Sequence, residues 1–181
     1  MFVDIYNTDK KYSIIYADPP WKYGGGKNKS FQGLAVDHYP TMKTKDICKL
    51  PISNIAEDAV LFMWTTFPQL EECFKVAESW GFDYKTVAFT WVKLNKDNTP
   101  VFGLGFWTRS NAEVCLIFTK GNYPRRINSS VSSVVLSQRE KHSKKPESVR
   151  GRIVELMGDL PRIELFARQQ SAGWDCWGNE V

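Results

Sequence analysis

The stretch Ser13-Ile14-Ile15-Tyr16-Ala17-Asp18-Pro19-Pro20-Trp21 restricts the fold of this chain more than any other. Ile14 to Ala17 is an apolar run that reads as a short buried strand. Pro19 and Pro20 end it, because neither can donate to a strand ladder and each fixes φ. Asp18 therefore stands where a strand stops and the chain turns. In an open α/β sheet that is where ligands bind.

The rest of the pattern agrees with such a sheet. Val3 and Ile5 alternate as in a brief edge strand. Thr44 is placed to cap a short helix carrying Ile47 and Leu50, stopped by Pro51. Ala59 to Trp64 is a second apolar run. Pro68 opens a helix with Leu70, Cys73, Phe74, Ala77 and Trp80 on one stripe, closed by Gly81. Thr86 to Val92 reads as the next strand, so a parallel βαβ unit is expected. Glu113 to Thr119 is a further strand. Pro146 suits the first turn of a helix whose buried stripe is Val149, Ile153, Leu156 and Met157, ended by Gly158. Arg162 to Arg168 and Trp174 to Glu180 read as the last two strands. The expected class is α/β, a mostly parallel central sheet with helices on both faces. The 181 residues fit one domain, 1–181, and no linker or repeat divides them.

Composition removes several function classes. Cys48, Cys73, Cys115 and Cys176 are scattered, and His38 and His142 stand far from any cysteine cluster, so neither zinc nor another metal site is expected. No signal peptide or bilayer-length apolar run is present, which points to a reduced, cytoplasmic protein without a membrane partner. The net charge of +4 permits a polyanionic partner without requiring one.

The chemistry suited to Asp18-Pro19-Pro20-Trp21 is specific. A carboxylate accepts one N–H of an amino group, and the Pro19 carbonyl accepts the other. Trp21 stacks on a flat ring beside them. This is a clamp for the exocyclic amine of a nucleobase held outside its stack. The alternative is a strand, a Pro-Pro turn and a core tryptophan. Three loops read as substrate-facing lids. Residues 22–41 hold Gly24, Gly25, Gly26 and Lys27, but a phosphate loop fails because Asn28 and Trp21 occupy its required positions. That segment is a lid or a plain surface loop. Tyr39, near its end, reads from the residues alone as a core tyrosine. Residues 93–112 carry Trp107 and Arg109, partners for bases or phosphate, or else a turn with Trp107 on the core. Residues 122–145 are the most basic part, with Arg125, Arg126, Arg139, Lys141 and Lys144, and are read as facing nucleic acid or as a solvated loop.

Four segments, in order, resemble the adenine-N(6) amino-methyltransferase family typified by the catalytic subunit of the mRNA adenosine methyltransferase. They are the clamp, Ser143-Lys144-Lys145-Pro146-Glu147, Ile163-Glu164-Leu165-Phe166-Ala167-Arg168, and Trp174-Asp175-Cys176-Trp177-Gly178-Asn179-Glu180. The resemblance implies a circularly permuted Rossmann-like methyltransferase, with the catalytic strand first and the cofactor strands last. It implies S-adenosylmethionine as cofactor, with Asp18 lying between it and the target amine. Lys145 would bind its methionine carboxylate, and Arg168 and Gln170-Ser171 would contact the ribose region. Asn179 and Glu180 would hold the ribose hydroxyls, Glu164 would position the basic groups, and Asp4-Ile5 would lie beside the adenine. By the same resemblance Tyr39 would be a wall of the nucleoside pocket. Gln170-Ser171 departs from the His-Asn of the eukaryotic subunit. A compact chain without an RNA-binding module resembles the small bacterial and phage members, so DNA adenine is the expected substrate. RNA adenosine is the second reading, and a non-catalytic nucleic-acid-binding partner the third. A monomer or homodimer is expected, with a partner subunit left open.

Overall fold

The computed structural model describes residues 1–22, 40–103, 105, 107–138 and 144–181. Among these, seven strands form one sheet in the order β5-β3-β4-β2-β1-β6-β7. The strands are β1 (Ile14–Ala17), β2 (Ala59–Thr65), β3 (Asp83–Leu94), β4 (Ala112–Lys120), β5 (Val134–Gln138), β6 (Arg162–Leu165) and β7 (Asp175–Trp177). The helices are α1 (Thr44–Ile47), α2 (Ile52–Ile55), α3 (Leu70–Ser79) and α4 (Ser148–Met157). A single 3-10 turn, Phe67–Gln69, leads into α3.

Period-two alternation sorts the buried strands onto two cores. Ile15, Ala17, Leu61 and Met63 face one cluster, with Ile47, Ile55, Cys73, Val76 and Ala77 of α1 to α3. Ile14, Tyr16, Val60, Phe62 and Trp64 face the other, with Val149, Ile153 and Met157 of α4. Helices therefore cover both faces, as the sequence suggested.

The sheet is mostly parallel. β1 pairs in parallel with β2 on one side and with β6 on the other, and β6 with β7. From β1 the chain moves to β2, and from β6 it moves the opposite way to β7. The carboxyl ends of β1 and β6 are thus the topological switch point, where a crevice opens. The last two strands lie beside the first, which is the permuted order.

Several local expectations are corrected. β2 and β3 run in the same direction but are not neighbours, because β4 lies between them antiparallel to both. The residues from Val3 to Ile5 form no edge strand; only Phe2 bridges Cys176, and both apolar side chains are buried. Lys43, not Thr44, occupies the cap of α1, and no side-chain cap bond forms there. Phe74 is 39% exposed, and Val76 takes its place in the buried stripe of α3. β5 lies inside the stretch expected to be a loop; Val135 points inward while Val134 and Leu136 are exposed. β6 and β7 are shorter than expected, so Arg168, Asn179 and Glu180 follow the strands. All four cysteines are free, with Cys48 only partly buried.

Candidate active site

Asp18 follows β1 directly, at the switch point. Its carboxylate is met by Lys145, whose Nζ stands 2.8 Å from Oδ1 and donates to Oδ2 at 2.9 Å. The same Nζ lies 3.2 Å from Oε2 of Glu113, and Lys93 pairs with the other oxygen of Glu113. Lys93, Glu113, Lys145 and Asp18 thus form an alternating chain of charges along the carboxyl rim of the sheet. Lys145 also lies 5.7 Å from the centroid of the Trp64 ring.

β4 explains why Glu113 is there. Because this strand runs backwards, its beginning reaches the rim where the parallel strands end. Val114 pairs with Thr65, the last residue of β2. Burial raises the Asp18 carboxyl above its ordinary value, although Lys145 pulls the other way. Burial pushes Glu113 up too, but Lys145 and Lys93 outweigh it and hold that carboxyl below the usual range. Burial would lower Lys145; the two carboxylates win and hold its ammonium protonated.

A cleft of about 280 Å³ opens beside Asp18, lined by Tyr16, Lys144, Lys145, Arg150, Glu164, Phe166, Arg168, Gln169 and Glu180. Arg150 grips Glu164 with two parallel bonds, Nε to Oε2 at 2.7 Å and NH2 to Oε1 at 2.6 Å. Its guanidinium also lies 5.8 Å from the centroid of the Tyr16 ring. The chain leaves β6 through Phe166, whose φ of 61° is in the left-handed region that bulky residues avoid. This turn carries Arg168 across the crevice to within 3.8 Å of Glu180. It also brings Ala167 so close to the end of β7 that a Cβ on Gly178 would lie 2.2 Å from the Ala167 oxygen. Only a glycine permits that approach.

The cleft therefore collects Asp18, Lys145, Glu164, Arg168 and Glu180 from three distant parts of the sequence. Gln170 and Ser171 are not among its lining residues. They line a separate cleft of about 950 Å³ with Lys10, Arg162 and Trp174, beside the starts of β6 and β7. Gln169 lines the cleft beside Asp18 and Gln170 does not. Asn179 is exposed next to Glu180.

Trp21 corrects another expectation. The residue is 5% exposed and its indole N–H donates to the Trp64 carbonyl at 3.1 Å, so it packs in the core rather than offering a stacking face. The Pro19 carbonyl already accepts the Trp21 amide at 2.8 Å, and the Pro20 carbonyl accepts that of Met42 at 2.8 Å. A carbonyl has two lone pairs, so Pro19 retains one for a further donor. Trp107 is 99% exposed rather than packed on the core, and Arg109 is exposed beside it. Arg125 and Arg126 follow the end of β4, where Lys120 pairs with Ala59 at the opposite end of the sheet from Asp18. The basic stretch 122–145 is therefore divided between the two ends. Tyr39, most of the 22–41 segment, and Arg139 to Ser143 lie outside the described residues.

Arg150 and Gln169 line the cleft and were not singled out from the sequence. Glu113 was visible there as the last residue of the run Gly105-x-Trp107-x-Arg109-x-x-x-Glu113, but its pairing with Lys145 was not. Among the described residues no group of three or more His, Cys, Asp or Glu could hold a metal ion. No helix among them is long and apolar enough to cross a membrane.

Residues 12–180 match the MT-A70 family. The type II methyltransferase M.MunI of a Mycoplasma species is 41% identical over 95% of this chain and 78% of its own length. The N(6)-adenosine-methyltransferase subunit METTL3 of Danio rerio is 28% identical over 94% of this chain and 28% of its own. The N(6)-adenosine-methyltransferase MT-A70-like protein of Arabidopsis thaliana is 29% identical over 99% and 24%. The chain thus spans about a quarter of the length of these two adenosine methyltransferases.

Proposed function

This chain belongs to the MT-A70 family, and from that premise we propose that it transfers a methyl group from S-adenosylmethionine to the exocyclic amine of adenine in DNA. One observation carries the reading. The Asp18 carboxylate at the end of β1 shares a single cleft with the residues that follow β6 and β7.

The donor set suits the cofactor's groups. Lys145 and Lys144 are cations for a carboxylate, and Glu180 with Asn179 can accept from or donate to a ribose diol. Arg168 also lines the cleft, and Phe166, its ring centroid 5.5 Å from that of Trp177, adds apolar surface. When bound, S-adenosylmethionine supplies an electrophilic methyl on its sulfonium. The chain's task is then positioning and electrostatics. Asp18 accepts one N–H of an extruded adenine and the free lone pair of the Pro19 carbonyl accepts the other, which aims the amine nitrogen. The carboxylate has lone pairs to spare beside Lys145, so it can keep the ammonium and still accept an amine N–H, and the same ammonium would be in place for a cofactor carboxylate. The nitrogen gains positive charge as it is alkylated, and the Asp18 carboxylate beside it stabilises that charge. It is also placed to receive the proton that is shed.

The 41% identity to a type II methyltransferase favours DNA. The adenosine-methyltransferase relatives support RNA as the second reading. Incubation with labelled S-adenosylmethionine and matched single- and double-stranded DNA and RNA, followed by nucleoside analysis, distinguishes the two. N6-methyladenine in DNA, lost in Asp18→Asn, is the expected outcome. A label on cytosine, or full activity in that variant, would overturn the reading. A soluble cytoplasmic protein, monomeric or homodimeric, fits this proposal.

A further inference from the structure

The connection between β3 and β4, called the finger below, is tethered close to the sheet at several described residues. Its base is fixed on both sides of Lys93, whose amide donates to Asn111 at 2.9 Å and whose carbonyl accepts from Val101 at 2.8 Å. Val101 is buried, and Leu94 bridges Pro100. A tight turn at Asn95 to Thr99 reverses the chain, with Asn98 at a φ of 63°. Gly103 then bridges Ser110. Inside that bridge a Cβ on Gly105 would lie 2.0 Å from the Thr108 oxygen, so the turn is built around a residue without one.

This well-tethered base presents apolar surface to solvent. Trp107 is 99% exposed and Phe102 76%. A large indole held fully in water, close to the cleft, is available to stack on a partner's flat ring. The finger joins the rim that carries the catalytic chain of charges, since Glu113 belongs to the strand it runs into. Trp107 stands six positions before Glu113, a span of at most about 22 Å. Arg109 and Lys96 are exposed cations on the finger against one exposed acid there, Asp97, whereas the rim lysines behind it are paired, Lys93 and Lys145 with Glu113 and Asp18 and Lys144 with Glu147. An exposed indole with cations on the same segment suits stacked bases flanked by phosphates better than it suits another protein.

Resting on the reading of this protein as an adenine methyltransferase, we propose that Trp107 is a wedge. It enters the stack of a DNA duplex next to the target and holds the space left by the extruded adenine, while Arg109 meets a flanking phosphate. Apolar or aromatic side chains inserted between base steps offset the cost of unstacking in this way.

The test compares wild type, Trp107→Ala and Trp107→Phe on the same sequence as duplex and as single strand, with 2-aminopurine at the target position of a second duplex. Trp107→Ala should lower kcat/KM on the duplex about ten- to hundredfold, the range for one lost base–aromatic stack. The single strand needs no extrusion, so the ratio of duplex to single-strand rates should fall about tenfold or more, and Phe should restore most of it. Wild type without cofactor should raise 2-aminopurine fluorescence, and Trp107→Ala should not. Equal losses on both substrates, an unchanged ratio, or fluorescence that rises alike in both proteins would overturn the wedge. So would a dimer that Trp107→Ala splits, which would make the finger a contact between copies. If wild type methylates neither nucleic acid, the functional reading fails, and the fluorescence still decides the wedge.

Discussion

Replacing Lys145 with Met tests the central arrangement at its most sensitive point. The side chain keeps its volume and loses its charge. In the native protein the ammonium touches both oxygens of Asp18 and one of Glu113, with its own side chain 11% exposed. Without it Glu113 keeps Lys93, so the cost falls on Asp18, whose side chain is 23% exposed. That carboxylate must stay charged and unpaired or take up a proton. The second route sets an upper limit. Protonating a group of ordinary value 3.8 at pH 7 costs about 4 kcal/mol, at roughly 1.4 kcal/mol per pH unit. At pH 5 the limit is under about 2 kcal/mol. Between these pH values the other partners are constant. Lys145 in wild type, raised above 10.5, contributes stability fully present below that value and lost only as pH rises through its higher folded value. Glu113, depressed below 4.5, contributes stability present above 4.5 and lost as pH falls through its folded value. Lys145→Met should therefore destabilise the cofactor-free protein by about 2–4 kcal/mol at pH 7, a Tm drop of about 5–15 °C for a chain of this size. The loss should be halved or less at pH 5. Urea and thermal unfolding at both pH values measure it. A loss that is equal at both, or below about 1 kcal/mol at pH 7, would refute the argument and leave Lys145 as a cofactor ligand only.

Three further outcomes follow from the same geometry. Glu113→Gln removes a negative neighbour that raises the Asp18 carboxyl, so the acid limb of the pH profile of kcat/KM should move to lower pH; an upward shift would contradict the pairing. Arg150→Met strands the 6% exposed Glu164 and should cost about 2–3.5 kcal/mol in urea unfolding at pH 7, most of it recovered in the double variant with Glu164→Leu. Gly178→Ala places a Cβ 2.2 Å from the Ala167 oxygen; by pushing the turn after β6 away from β7 it should weaken S-adenosylmethionine binding about tenfold or more by calorimetry, roughly the effect of 1.4 kcal/mol.

Asp18 was legible because proline chemistry marks a strand end whatever the tertiary context. The two cores were legible for the same reason, since apolar runs at strand length admit few alternatives. Strand direction was not. Hydrophobic periodicity has no polarity, so nothing in Ala112 to Lys120 announced that β4 runs backwards, and the pairing of Glu113 with Lys145 stayed hidden with it. β5 escaped because it is a half-exposed edge strand, with Val134 and Leu136 in solvent and serines on either side. The face of Trp21 could not be read either. Aromatic rings serve cores and stacking platforms alike, and only its contact with the Trp64 carbonyl decided between them. Nor was the turn after β6 legible, because it runs through a left-handed phenylalanine, a conformation the sequence does not advertise.

The reversal of β4 has a consequence for how such a protein could be retuned. β3 and β4 are adjacent and antiparallel, so the segment joining them leaves and rejoins the frame at one doorway, between Leu94 and Ala112. Adding residues to a closed loop of this kind costs little, about 0.6 kcal/mol for each doubling in length. The segment can thus be treated as an exchangeable cassette. Grafting a different hairpin that keeps Trp107 and Arg109 between the same two strands should change which nucleic-acid sites are chosen while the charge chain from Lys93 to Asp18 beneath it is left intact.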